Sequence, residues 1–114
     1  MFRKIKKVLL IYPPTTVEKR WYVKMAALPL GVAYLASVLR DDYDVSVCDA
    51  TIEGFKNDVT VEENPKFFRF GLDYEEIKRR ILTFAPDCVG ISCLLSLQYP
   101  AVRQICKDVK KINK

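Results

Sequence analysis

Lys7 to Tyr12, KVLLIY, is apolar in every residue after the first and is stopped at once by Pro13 and Pro14. A strand with one face in water alternates apolar and polar residues, so an unbroken run of this kind belongs to a strand covered on both sides, as in a parallel sheet between two layers of helix. Two more runs of the same type follow. Val45 to Cys48 is entered through Asp41-Asp42-Tyr43-Asp44 and left at Asp49-Ala50, and Cys88 to Cys93 reads CVGISC. Helical periodicity falls between and after them. Leu28 to Arg40 places Val32, Leu35, Ala36 and Leu39 on one face, with Pro29 in the first turn, where a missing N–H costs nothing. A second helix starts at Asp73 with Glu76 in capping-box position, buries Ile77, Ile81, Phe84 and Ala85, and ends at Pro86. A third begins near Pro100 and carries Val102, Ile105, Cys106, Val109 and Ile112 on one side.

The order β-α-β-α-β-α predicts an α/β fold: a doubly wound, flavodoxin-like (Rossmann-like) parallel sheet with right-handed crossovers, incomplete at three β-α units. One domain over residues 1–114 accounts for the whole sequence. The third strand has no further strand to pair with, so its edge is expected to be covered by a partner or to drive self-association. Thr51 to Leu72 reads as an irregular stretch, a lid or interaction segment whose Phe67-Phe68-Arg69-Phe70 cluster packs over the sheet edge or on another domain.

Composition removes several functions. The chain is 50% hydrophobic and 29% charged, which suits a globular protein, and its apolar runs are far shorter than the about 20 residues a membrane span requires. A short apolar run ending in Pro13-Pro14 is not a secretory signal, so the reading is a cytoplasmic protein. There is no histidine, which excludes histidine catalysis and histidine metal ligation by these residues. Cys48, Cys88, Cys93 and Cys106 lack the spacing of a zinc site or disulfide framework and are read as buried thiols. The net charge of +5 is concentrated at the two ends with no interleaved aromatics, so nucleic acid is not expected as a partner.

In open parallel sheets, ligands bind beyond the carboxyl ends of the strands, where strand order reverses. Here those ends are Tyr12-Pro13-Pro14-Thr15, Asp49-Ala50-Thr51 and Ser92 to Leu97. No GxGxxG and no GxxxxGK[ST] is present, which disfavours dinucleotides and nucleoside triphosphates. A phosphorylated receiver domain needs acids directly after its first strand, where this chain has prolines. In the third loop, Ser92 and Ser96 offer hydroxyls and Cys93-Leu94-Leu95 an apolar wall for a flat ligand. Ser92 reads equally well as a small buried residue satisfied by backbone.

KVLLIYPP, LPLGVAYLASVLR, YDVSVCDA, FGLDYEEIKRRI and PDCVGISCLLSLQYPAVRQICKDVK together resemble, in order and spacing, the N-terminal cobalamin-binding domain of cobalamin-dependent radical SAM proteins. The resemblance implies a corrin lying across the carboxyl ends of the strands, with its nucleotide tail entering the sheet. It implies that Tyr12, Pro13 and Pro14 edge the corrin and that Leu28, Leu30 and Gly31 shape the upper rim. Asp49 joins them at the second strand end. Ser92, Cys93, Leu94, Leu95, Ser96 and Leu97 line the tail, with Ser92 and Ser96 as hydrogen-bond donors. The DxHxxG of cobalt-ligating relatives is missing, so a His-off mode is implied. The family's fourth strand and Gly-rich turn fall beyond Lys114. The iron–sulfur cluster and SAM belong to a downstream radical SAM domain, because no CxxxCxxC occurs here. The chain alone is expected not to be catalytic. Two other readings stand beside this one: a truncated α/β scaffold acting only in protein association, without cofactor, and a small flavodoxin-like enzyme or nucleotide binder.

Overall fold

The computed structural model describes residues 4–21, 29–62, 64–94 and 96–112. Strand β1, Lys7–Tyr12, is the centre of a parallel three-stranded sheet, flanked by β3, Asp44–Asp49, and β6, Cys88–Ile91. Its side chains alternate between two cores. Leu9 and Ile11 pack with Ile77 and Ile81 of α3, Tyr74–Phe84, and with Ile105 of α4, Tyr99–Ile112. Val8 and Leu10 meet Val32 of α1, Leu30–Leu39, on the opposite face. The doubly wound α/β architecture expected from the run KVLLIY is therefore present. Burying Leu9 and Ile11 contributes about 1.5–3 kcal/mol each.

The amino end of β1 is fixed by a single acid. Asp87 accepts hydrogen bonds from the backbone N–H groups of Lys6 (2.9 Å) and Lys7 (3.0 Å), and its own N–H donates to the Lys7 carbonyl (2.8 Å). Helix α3 opens with the predicted capping box: the Asp73 carboxylate accepts from the Glu76 N–H at 2.8 Å, and the Glu76 carboxylate accepts from the Asp73 N–H at 3.4 Å. A cap of this kind contributes about 1 kcal/mol.

The stretch from Thr51 to Leu72 is not irregular. It holds a short helix α2, Ala50–Glu53, and two strands, β4, Asp58–Thr60, and β5, Phe67–Phe70. With β2, Thr15–Glu18, these strands form a second, antiparallel sheet in the order β2-β5-β4. The aromatic cluster is the centre of that sheet. Phe68 and Phe70 are buried, with Phe55 edge-on to Phe70 at 5.4 Å, while Phe67 and Arg69 face the other way. The sheet is joined to the rest where Gly54 touches Gly71 and Leu72. Thr51 is buried beside this junction, its hydroxyl donating to the Pro13 carbonyl (2.8 Å) and lying 2.8 Å from the Thr15 hydroxyl.

Three helical faces differ from expectation. On α1, Leu35 is exposed, as are Leu30, Tyr34 and Val38, so this helix shows apolar residues to solvent as well as to the sheet. Ala85 is the left-handed C-cap of α3 and is exposed. On α4 the buried residues are Ala101, Ile105 and Asp108, and Cys106 is outside. Asp108 is tolerated because the Gln104 amide donates to it (3.0 Å) and Lys78 of α3 lies 3.9 Å away, which pairs a charge that could not be buried alone.

The four cysteines are likewise not uniformly buried: Cys48 is enclosed, and Cys88, Cys93 and Cys106 are exposed. Helices α3 and α4 cover only part of the edge strand β6, and α4 turns Cys106 outward. Burial pushes the Cys48 thiol up to about 11. Thiolate is the reactive form, so a native-state titration with a thiol reagent at pH 8 is expected to modify Cys88, Cys93 and Cys106 readily and Cys48 only on unfolding. Because the folded value exceeds the ordinary thiol value, the contribution of Cys48 to stability is complete below about pH 8.5 and is lost as pH rises toward 11. Equal labelling of all four thiols in folded protein would contradict this placement.

Candidate functional site

The register of the parallel sheet sets three strand ends at one level. Tyr12 of β1 stands opposite Asp49 of β3, Ile11 opposite Ile91 of β6, and the Ser92 N–H donates to the Ile11 carbonyl at 3.0 Å. In the order β3-β1-β6 the chain moves to one side of β1 and then crosses to the other. The reversal point therefore lies between the carboxyl ends of β1 and β6.

Each expected site residue can be placed against that point. Tyr12 is half-buried and packs toward α1. Pro13 and Pro14 are fully buried beneath the junction of the two sheets and present no free surface. Asp49 caps α2 by accepting from the Ile52 N–H (3.2 Å); burial pushes its carboxyl up, partly opposed by that bond. Leu30 and Gly31 form the exposed start of α1. Ser92 is half-buried, and Cys93 and Leu94 are exposed, Leu94 at 74%. The loop is held by Gln98, a buried side chain that accepts the Leu94 N–H at 2.9 Å. Ser96 and Leu97 sit in the single 3-10 turn Ser96–Gln98 that leads into α4. Leu28 and Leu95 lie outside the described residues.

Ser96 and Leu97 also form one side of a groove of about 500 Å³. Its other walls are Thr16 of β2, Phe67 and Arg69 of β5, Tyr74 of α3, and Pro100, Ala101 and Gln104 of α4. A volume of this size is in the range of small-molecule sites. A smaller cleft of about 250 Å³ lies at the opposite end of β6, beside Pro86, Asp87 and Val89, away from the strand ends. The groove was beyond reach of a reading that left residues 51–72 irregular. The signal available was Arg69 set between Phe68 and Phe70, one charge facing opposite to two buried aromatics.

A model of the B12 binding domain matches residues 22–114. The chain belongs to the B12 binding domain family. It is 36% identical over 106 residues to cytidylyl-2-hydroxyethylphosphonate methyltransferase of Streptomyces wedmorensis, covering 92% of this chain and 20% of the relative. It is 34% identical over 110 residues to an uncharacterized methyltransferase of Pyrococcus horikoshii, covering 96% of this chain and again 20% of the relative. This B12 binding domain thus spans about a fifth of the length of the curated relatives it matches. No solved structure matches it.

The residues of this B12 binding domain fit such a cofactor. Exposed Leu94 and Leu97 suit a broad apolar ring system, and the groove combines apolar walls with hydroxyl and amide donors and one cation. None of the 114 residues is a histidine, so none supplies an imidazole to cobalt. Among the described residues no helix is long and apolar enough to cross a membrane.

Proposed function

We propose that this B12 binding domain presents cobalamin to a radical SAM domain in a methyltransferase of the kind its relatives are named for. The observation that carries the reading is the groove of about 500 Å³ whose wall includes Ser96 and Leu97, from the loop that follows β6 at its carboxyl end. Bound cobalamin supplies a methyl carrier for transfer to a substrate carbon. In this reading Tyr12, Leu30, Gly31 and Leu94 border the corrin, Ser92, Ser96 and Leu97 hold the nucleotide tail, and Pro13, Pro14 and Asp49 fix the loops beneath. The cofactor is held His-off. SAM and the iron–sulfur cluster belong to a separate domain carrying CxxxCxxC.

Titration of the folded chain with hydroxocobalamin tests this. A corrinoid absorption spectrum that co-elutes with protein on gel filtration is expected, and no bound corrin in protein shown folded by circular dichroism would overturn it. A scaffold acting only in association is the second reading, favoured by the exposed Leu30, Tyr34 and Val38 along α1, a ten-residue helix without a charge. It predicts concentration-dependent self-association and no corrin uptake in the same experiment.

A further inference from the structure

Among the described residues that line the groove, Arg69 is the only one with a charged side chain. It sits on β5, the middle strand of the small sheet, between Thr16 of β2 and Val59 of β4, and so is carried by the most constrained strand of that sheet. Its side chain is also held. Nη1 donates to the Tyr74 hydroxyl at 3.3 Å, and the guanidinium lies over the Tyr74 ring, 4.5 Å from its centroid. Glu18 shares that face of the sheet two residues along from Thr16, but its carboxylate is engaged by Arg20 at 3.3 Å. Among the described residues no carboxylate pairs with Arg69. The opposing wall is the first turn of α4, with Pro100 and Ala101. Thr16, Ser96 and Gln104 supply neutral donors around the same space.

A groove with apolar walls, a preorganised guanidinium and, among the described residues, no acid in its lining fits a ligand that couples a flat apolar ring to a single anionic charge. The nucleotide tail of cobalamin has that composition: a benzimidazole, a ribose and one phosphodiester. We infer that Arg69, stacked on Tyr74, is the counter-charge for the phosphodiester of the cobalamin tail, and that the small sheet β2-β5-β4 exists in this chain to bring it to the groove. The inference rests on the cobalamin reading above and assigns a binding role to a segment that the strand-end rule alone does not reach.

The test compares two corrinoids on the folded chain, hydroxocobalamin and dicyanocobinamide, which has the corrin but no nucleotide tail. Loss of one charge-assisted hydrogen-bonding site weakens binding by roughly 10- to 100-fold. Arg69→Gln is expected to lose that factor for hydroxocobalamin and to leave dicyanocobinamide unchanged. Arg69→Lys keeps the charge without the planar fork or the stacking, and is expected to fall between; it carries the test if the glutamine variant does not fold. Equal losses for both corrinoids, or no loss for either, would overturn the role of Arg69 while leaving cobalamin binding intact. A wild-type chain that binds neither corrinoid overturns the cobalamin reading and this inference together.

Discussion

Phe70→Ala is expected to lower the stability of the chain by about 3–5 kcal/mol, a large fraction of the roughly 6–17 kcal/mol available to a domain of this size. Phe70 is 1% exposed, meets Phe55 edge-on at 5.4 Å, and lies 6.1 Å from Phe68. Removing it leaves a cavity lined by Phe55 and Phe68. The adjacent Phe67→Ala, on the groove face and only half-buried, is expected to cost about 1 kcal/mol. Urea unfolding followed by circular dichroism measures both. A larger cost for Phe67→Ala than for Phe70→Ala would show that the small sheet has the opposite facing, since a shift of one residue in β5 exchanges buried and groove-facing side chains.

Gly54→Ala is the second substitution of large effect, at about 3 kcal/mol or more. A Cβ at this position would stand 2.3 Å from the Gly71 carbonyl carbon and from the Leu72 nitrogen. Both are backbone atoms and cannot rotate away, so the methyl forces apart the crossing between α2 and the exit of β5. The Leu72 N–H bond to the Ala50 carbonyl (2.8 Å) and the Gly71 N–H bond to the Asn57 carbonyl (3.3 Å) are strained with it. Gly71 is no freer, because its φ of 132° lies in the region that favours glycine. Gly31→Ala is the control: nothing lies within 4 Å of its added Cβ, and in the first turn of α1 alanine is expected to stabilise by about 0.5–1 kcal/mol. Thermal unfolding should separate the two in opposite directions. A Gly54 variant as stable as wild type would mean that the two sheets do not touch there.

The features legible in the sequence were those specified locally. KVLLIY could only be a strand buried on both faces, and Asp73 with Glu76 names a helix start through bonds spanning three residues. The small sheet was not legible because each strand is three or four residues long and its pairing joins Thr15–Glu18 to Phe67–Phe70, far apart in the chain. Three phenylalanines in four positions also hide the alternation that would have marked β5. On α4, hydropathy favours Cys106 over Asp108 for the interior. The structure reverses them because Lys78 and Gln104 satisfy the acid, and neither partner can be read from the helix alone. The strand ends of the candidate site followed from topology. The groove did not, since two of its walls belong to the small sheet.

The position of β1 in the middle of the parallel sheet also has a bearing on synthesis. The strand is made first and paired last: its outer neighbour β6 and the Asp87 clamp lie 80 residues further along from Lys7. At about 5–20 residues per second on the ribosome, the most apolar segment of the chain waits roughly 4–16 s for the strand that closes its second edge. During that interval β3, α1 and, once residues 74–84 have emerged, α3 can shelter it. Chaperone demand during translation should therefore be concentrated between the emergence of Tyr12 and that of Ile91, and a slow codon tract before β6 would lengthen the exposure of KVLLIY more than one placed after it.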